Sequence, residues 1–396
     1  MATKSVTATI STKGDMYYVV VSYYEKQKGA EKEKRIQKWV KTDLTVSGHN
    51  KRKIEAKRIA VLEEWREKLN YRDSDILFSD FMLDWLEATR ITISNETYYS
   101  YKSTVENVIC PYFRGLGIKL CDLRAEHIQA FYSWKMNNPA KSVSANTIYH
   151  YHANIHKALA YAYKNERIKC NPADLVELPK KEKHIANYYG LDECKAIIDY
   201  AKDSPIEVVV FLAAWFGLRR GEIIGLKWEA VDFQSKTLSV VGTMSAWGEH
   251  GPTLEATHYK ATAKNSKSLR TFPMSDAAAK YLRKLKEHQE SLQQHRPNYN
   301  HAWDGFVCVK PNGDLISLEY VTKAFPKMTE RAGMKRLKLH ELRHTNVSLL
   351  LNSGMNYKDL ADWAGHSDVS TTMNIYAHLA VENKKRMTNA LSQMLG

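Results

Sequence analysis

Six side chains in the second half of the chain have the types needed for phosphoryl transfer without a metal ion. Arginine forks hold the non-bridging oxygens of a phosphate and the charge that builds in its transition state. A lysine protonates a departing alkoxide, a histidine exchanges a proton with the nucleophile, and a tyrosine serves as that nucleophile. The six are Arg219, Lys264, His340, Arg343, His366 and Tyr376.

The first two of these residues fall where the backbone is expected to turn. An apolar helix over Ile206–Leu218 ends around Gly217, and Arg219 follows directly. Lys264 lies in a basic, serine-rich stretch that leads into a strand, as the tip of a hairpin would. Lys267 belongs to the same stretch and remains the alternative catalytic lysine.

The other four residues are predicted on three helices near the end of the chain. His340 and Arg343 are three positions apart and share one helical face. His366 follows a glycine at the end of the next helix, and Tyr376 comes ten residues later on a short helix that we expect Ser370 to cap.

A zinc hydrolase is a competing interpretation of the same region. Residues 340–344 have the sequence HELRH, which matches the pattern HExxH. In zinc hydrolases with that pattern, the two histidines, one helical turn apart, bind zinc and the glutamate acts as a base. The metzincin extension fails, because Val347 and Leu350 stand where Gly and His are needed. Asp362 or Glu382 would then have to supply the third ligand.

Three segments resemble the tyrosine recombinases, and more narrowly the integrases of bacteriophages and conjugative transposons. The sequence GLRRGE at 217–222 matches the first arginine box of that family. HELRH at 340–344 matches its His-x-x-Arg box, and WAGHSDVSTT at 363–372, followed by Tyr376, matches the third box. Ala364 stands where the family usually has Leu, which is a conservative packing change.

The resemblance implies a role for each residue at the phosphate. Arg219 and Arg343 would clamp the scissile phosphate, and His366 would hydrogen-bond it. Tyr376 would attack it to give a 3′-phosphotyrosyl link, with Glu222 supporting the site from outside.

The resemblance also implies how protons move and how the strands rejoin. Lys264 would protonate the leaving 5′ oxygen, and His340 would assist proton transfer at the tyrosine. The 5′-hydroxyl of the partner strand would then displace the tyrosine. Phosphoester energy is conserved throughout, so the family chemistry calls for no ATP, no metal and no other cofactor.

The charge of the 396-residue chain points to a polyanionic partner. The net charge is +14, and residues 1–72 hold 17 lysines and arginines against 9 acidic residues. The longest apolar run, Val208–Leu218, is about half of the ~20 residues that a membrane span needs. No secretory signal is visible, and the five cysteines are scattered, so a cytoplasmic location is expected.

The predicted fold is a mixed multidomain one. Met16–Tyr24 and Ile36–Val40 are typical of strands and Lys51–Leu69 of a helix, and the resemblance implies a three-stranded sheet in residues 1–72. Further along the chain, Thr237–Thr243 and Leu269–Phe272 are also predicted as strands. The predicted domains are a small α+β arm-type DNA-binding domain, an all-α, SAM-like core-binding domain, a linker, and a mainly α catalytic domain with a small antiparallel sheet. Their bounds are 1–72, 75–171, 172–187 and 188–396.

These features together predict a site-specific recombinase that integrates and excises a mobile element. The expected partners are double-stranded DNA at core and arm-type attachment sites and three further copies of the chain in a homotetramer, with no membrane partner. An excisionase and a host DNA-bending protein are further candidate partners. The amphipathic tail 377–396 would dock on its own domain or on a neighbouring copy. The alternative is a DNA-binding regulator that keeps the fold without the chemistry.

Overall fold

The structure, a computed structural model, describes residues 6–26, 33–70, 76–139, 141–181, 187–248, 256–261, 269–366 and 368–376, with 388, 392, 394 and 395. The chain divides into two units, residues 1–182 and 183–396. The boundary lies within 172–187, the range predicted as a linker. None of the helices in the described ranges is long and apolar enough to cross a membrane.

The first unit opens with a three-stranded antiparallel sheet of β1 (Thr7–Lys13), β2 (Met16–Lys26) and β3 (Glu33–Thr45), with β2 in the centre. It is followed by helix α1 (Lys51–Asn70). Because strand side chains alternate between faces, Val19, Val21 and Tyr23 all point the same way. They are buried against Ile54 and Val61 of α1.

The opposite face of this sheet carries polar and aromatic side chains. The register places Tyr18 of β2 directly across from Lys41 of β3, two positions from Trp39. Trp39 is 54% exposed, and its ring centroid lies 6.0 Å from that of Tyr18. The sheet therefore has one face closed by α1 and one that carries exposed aromatic and basic groups.

The rest of the first unit is helical and has a core of its own. Phe78, Phe81, Phe113 and Phe131 are fully or almost fully buried within it. Residues 172–178, which we predicted as the start of the linker, also pack here: Ala173 is buried, with Val176 and Leu178 against the core. The helices are α2 (Phe78–Thr89), α3 (Asn95–Thr104), α4 (Cys110–Leu116), α5 (Ala125–Met136) and α6 (Ala145–Lys164).

The second unit is mainly helical with two small antiparallel sheets, of strand orders β4-β5-β8 and β6-β7. Its core centres on α8, in which eight of ten residues are buried. The helices are α7 (Leu191–Tyr200), α8 (Glu207–Phe216), α9 (Arg220–Ile224), α10 (Asp276–His295), α11 (Leu318–Arg331), α12 (Leu339–Asn352), α13 (Tyr357–Ala364) and α14 (Val369–Tyr376). The strands are β4 (Val231–Asp232), β5 (Thr237–Val240), β6 (Gly242–Ala246), β7 (Thr257–Ala261) and β8 (Arg270–Pro273).

The predicted fold class is confirmed, and one local detail differs. We predicted a single strand over Thr237–Thr243, whereas the chain leaves β5 after Val240 and begins a second strand, β6, at Gly242. β6 pairs with β7 instead of with β8. Gly242 leaves room for the Tyr259 side chain on β7, since a Cβ at position 242 would lie 2.2 Å from its hydroxyl oxygen.

Candidate active site

The first arginine box is held in place by a sharp reversal of the backbone. Helix α8 ends on Gly217 in the left-handed conformation, at φ +61°, and a Cβ there would lie 2.7 Å from Asn346 Oδ1. Arg219 is the N-cap residue of α9, and its backbone N–H donates to Glu222 Oε2 at 2.8 Å. The turn at Gly217 and the hydrogen bond from Arg219 to Glu222 therefore fix the backbone position of Arg219.

Glu222 is the acceptor that joins two arginines. Its side chain is 6% exposed and accepts from Arg219 Nη1 at 2.9 Å and from Arg270 Nη1 and Nη2 at 3.1 and 2.7 Å. Desolvation would raise the pKa of Glu222, but hydrogen bonds and charge from Arg270, then Arg219, hold that pKa below its ordinary value. Glu222 is therefore an anion buried between two cations.

Arg343 is almost completely enclosed, with only 2% of its surface exposed. From the first turns of α12 its Nη1 donates to the carbonyl oxygen of Gly217, and its Nη2 donates to the carbonyl oxygen of Ala364. The same Nη2 lies 3.3 Å from His366 Nε2. Arg343 thus connects the ends of α8 and α13, which carry the first and third boxes.

His366 follows α13, which ends on Gly365 in the left-handed conformation at φ +61°. Because a guanidinium only donates, Nε2 of His366 accepts from Arg343 and Nδ1 carries the hydrogen that it donates to Thr372 Oγ1 at 2.8 Å. Desolvation, followed by the cations Arg343, Arg219 and Arg270, lowers the pKa of His366 to about 4. The imidazole is therefore neutral at pH 7.

His340 is the second residue of α12 and is exposed to solvent. The remaining part of its ring is buried, and this partial burial, followed by the cations Arg343 and Arg219, lowers the pKa of His340 below its ordinary value. A neutral imidazole next to two guanidinium groups is able to accept a proton, which is the chemistry predicted for this position.

The structure brings four of the six predicted residues to one place, namely Arg219, His340, Arg343 and His366, together with the predicted supporting residue Glu222. Lys264 and its alternative Lys267 lie outside the described residues. Tyr376 is the last residue of α14, and its side chain is outside the described part of the structure.

Helix α14 is not capped as we predicted. Ser370 is already its second residue, and the Ser370 backbone N–H donates to Asp368 Oδ1 at 2.9 Å. The aspartate carboxylate therefore takes the capping position, where it also interacts favourably with the helix dipole.

The residues of the alternative zinc site make other contacts or lie on other elements. Glu341 is the third residue of α12 and accepts from the Lys338 backbone N–H at 2.7 Å, so it closes the start of its own helix. Asp362, one candidate third ligand, is on α13, and Glu382, the other, lies outside the described residues. Across the described ranges no group of three His, Cys, Asp or Glu side chains is arranged to hold a metal ion.

Sequence reasoning missed two residues of this network. Arg270, the first residue of β8, was only one cation in a basic stretch, and nothing in a single sequence set it apart. Thr372 lies in the third box, where we assigned it no role. Its hydroxyl lies 2.8 Å from Nδ1 of His366 and orients the ring.

Comparisons with known proteins show the family to which the chain belongs. The profile of the phage integrase family matches residues 190–383, and that of the phage integrase N-terminal SAM-like domain matches 77–136. The tyrosine recombinase XerC-like protein of Caldanaerobacter subterraneus subsp. tengcongensis is 27% identical over 359 residues, covering 88% of this chain and 90% of that protein.

Two solved structures share the fold. The Tn1549 transposon integrase in complex with transposon right end DNA has a TM-score of 0.63 at 16% identity, covering 80% of this chain and 100% of that one. The lambda integrase tetramer bound to a Holliday junction gives 0.53 at 16% identity, covering 91% and 95%. The chain belongs to the phage integrase family of tyrosine recombinases, enzymes that catalyse site-specific exchange of DNA strands.

Proposed function

We propose that this recombinase cleaves DNA through a 3′-phosphotyrosyl intermediate formed on Tyr376, to integrate and excise a mobile element. The observation that carries the proposal is the convergence of Arg219, Arg343 and His366 at the end of α13. Arg219 Nη2 is 2.7 Å from the Gly365 carbonyl oxygen, and Arg343 Nη2 is 3.3 Å from His366 Nε2. Two fixed guanidinium groups with an imidazole beside them are suited to bind a phosphate and the charge of its transition state.

In the cleavage step the Tyr376 oxygen bonds to phosphorus while the bond from phosphorus to the 5′ oxygen breaks. His340 accepts the tyrosine proton, which its lowered pKa allows because the ring is neutral at pH 7. Lys264, or Lys267 in its place, gives a proton to the departing 5′ oxygen. Rejoining reverses these transfers when a 5′-hydroxyl from the partner strand attacks the phosphotyrosine.

Arg219 and Arg343 bind the non-bridging oxygens of this phosphate, and Glu222 holds Arg219 in position. For His366 to donate to the phosphate, Nε2 has to carry a hydrogen. Either the neutral ring changes tautomer and the Thr372 hydroxyl donates to Nδ1, or the ring gains a second proton, which a phosphate anion favours because it raises the pKa of His366. The protein groups neutralise the phosphate charge, and the reaction needs no added cofactor.

The four segments of the chain take separate tasks in this proposal. Residues 1–72 bind arm-type sites, 75–171 bind the core site, 172–187 connect, and 188–396 carry out catalysis. The +8 net charge of residues 1–72 and the exposed Trp39 and Lys41 on the outer sheet face support the first assignment.

The working assembly in this proposal is a homotetramer on double-stranded DNA in the cytoplasm. The structural similarity of this chain to lambda integrase, which was solved as a tetramer bound to a Holliday junction, supports that assembly. An excisionase and a host DNA-bending protein are the further partners that we propose for directing the reaction.

Covalent capture tests the proposal. End-labelled DNA spanning the junctions of the element is incubated in EDTA with wild type or with Tyr376→Phe, and the products are separated in SDS. We expect a protein–DNA adduct with wild type and none with Tyr376→Phe, while both bind the DNA in a gel-shift assay. Binding by wild type without an adduct would instead favour a DNA-binding regulator.

A further inference from the structure

Arg270 is a buried cation that the recognised sequence boxes do not include. It is the first residue of β8, paired with Val240 of β5, and its side chain is 8% exposed. Two of its nitrogens donate to the two carboxylate oxygens of Glu222, and its Nε donates to the Trp363 carbonyl oxygen at 3.1 Å. An arginine fork suits this arrangement because its donors lie in one plane at fixed angles.

Three arginines hold three consecutive carbonyl groups at the end of α13. Arg270 donates to the carbonyl of Trp363, Arg343 to that of Ala364, and Arg219 to that of Gly365. The last carbonyls of a helix have no partner within it and carry its partial negative charge, so cations are favourable there. We call these three carbonyl groups, 363–365, the α13 collar.

Arg270 is the member of this set that is tied both to the collar and to Arg219. Glu222 Oε1 accepts from Arg270 and from Arg219, so the two guanidinium groups share one carboxylate oxygen. Gly365 leaves room for the Arg270 guanidinium, because a Cβ at position 365 would lie 2.7 Å from Arg270 Nη1. A shift of Arg270 would therefore move Arg219 through Glu222, and His366 through the end of α13.

We propose that Arg270 is a positioning residue for strand cleavage: it sets Arg219 and His366 at the scissile phosphate through Glu222 and the α13 collar. This inference rests on the proposed function. A purely stabilising ion pair would affect how much of the protein is folded. A positioning residue affects the rate of strand cleavage in the folded protein–DNA complex.

The test measures the single-turnover rate of adduct formation at saturating DNA, alongside the affinity for the same DNA. Arg270→Lys keeps the charge beside Glu222 but loses the fork. We expect it to remain folded and to bind DNA within about twofold of wild type. Its adduct should form about 10- to 100-fold more slowly, the cost of misplacing a reacting group by about 1 Å. Arg270→Met, which leaves Glu222 facing one arginine, should be slower still or unfolded, so Arg270→Lys is the deciding variant.

Arg336→Lys is the matched control, because Arg336 forms an exposed pair with Glu330 in the same unit, at 2.5 Å. It should react at the wild-type rate. A double-mutant cycle adds the link to Glu222: if the two residues act as one unit, Arg270→Lys with Glu222→Gln should be little slower than the slower single variant.

Three outcomes would overturn the assignment: a wild-type rate for folded Arg270→Lys, a loss explained entirely by weaker DNA binding, or losses that multiply in the double variant. Failure of the proposed function is a separate result, since wild type itself would then form no adduct on DNA that it binds.

Discussion

Arg343 Nη2 lies 3.3 Å from Nε2 of His366, so the second arginine of the site donates to the histidine of the third box. Thr372 Oγ1, 2.8 Å from Nδ1, holds the other side of the same ring. The imidazole is thus fixed between a cation and a hydroxyl. Its position, tautomer and charge are all set by protein groups.

The lowered pKa of His366 predicts how stability depends on pH. The pKa falls from 6.5, the ordinary value of an unfolded chain, to about 4 in the folded chain. The unfolded state therefore binds more protons between these values, and the free energy of unfolding falls as the pH drops from 6.5 towards 4. Above pH 6.5 this contribution is fully present.

Urea unfolding of wild type and His366→Asn at several pH values between about 7 and 4 checks this prediction. The substitution should reduce the loss of stability on acidification. His340→Asn is the comparison, because the pKa of His340 is also lowered and its effect has the same sign. An identical pH dependence in wild type and His366→Asn would contradict the assigned ring environment.

Gly365→Ala should impair both stability and cleavage. A Cβ at φ +61° is strained and would meet Arg270 Nη1 at 2.7 Å, which displaces Arg270 from the α13 collar. Gly333→Ala is the matched control, since Gly333 has φ +65° and nothing within 4 Å of its Cβ position. We expect both to lose about 1–2 kcal/mol of unfolding free energy from strain. Only Gly365→Ala should also slow adduct formation, by about tenfold or more; equal rates in the two variants would count against the role of the collar.

Substitution by lysine should destabilise the protein more at Arg343 than at Arg219, the two arginines proposed to bind the phosphate. Arg343 is 2% exposed and donates to Gly217 and Ala364, whereas the Arg219 side chain is 36% exposed. Arg343→Lys should therefore cost about 3–5 kcal/mol of unfolding free energy, and Arg219→Lys about 1 kcal/mol. Both should reduce the cleavage rate by about 100-fold or more at saturating DNA.

Chemical denaturation and single-turnover cleavage on the same preparations make this comparison. The reverse order of stability losses would mean that burial does not decide how strongly each arginine holds the site. Near-normal cleavage by folded Arg219→Lys would remove Arg219 from the phosphate clamp.

The outer face of the N-terminal sheet should bind arm-type DNA through two separable contributions. Lys41 is positively charged, so Lys41→Ala should weaken DNA binding. It should also reduce the steepness with which the logarithm of the binding constant falls with the logarithm of the salt concentration, by about 1. Trp39 is exposed and uncharged, so Trp39→Ala should weaken binding without changing that slope. Titrations at several salt concentrations measure both quantities, and an unchanged slope for Lys41→Ala would place Lys41 away from the phosphates.

Sequence reasoning located the helices and turns of the candidate site because their signals are local. An apolar run followed by glycine ends α8 at Gly217, and the helical spacing of His340 and Arg343 is confirmed on α12. The histidine of the third box indeed follows a helix that ends on glycine. Each of these signals depends on a few neighbouring residues.

What sequence reasoning missed depends on contacts between distant residues. Arg270 is 48 positions from Glu222 and 93 from Trp363, and only the folding of β8 against α9 and α13 brings them together. The β6–β7 hairpin was missed because Val240 and Val241 continue the β-forming pattern, and Gly242 alone did not show that the chain changes sheets there. The cap of α14 was predicted two residues too late, at Ser370 instead of Asp368, because both residue types cap helices well.

The most direct measurement is to identify the residue that carries the DNA. In a core-site duplex nicked on the 3′ side of the scissile phosphate, cleavage releases a short fragment that carries the new 5′-hydroxyl, so rejoining is blocked and the adduct accumulates. Nuclease and protease digestion then leaves one peptide with a nucleotide attached. We predict that mass spectrometry finds this nucleotide on Tyr376, joined through its 3′-phosphate. A nucleotide on any other residue, or joined through a 5′-phosphate, would contradict the proposed mechanism.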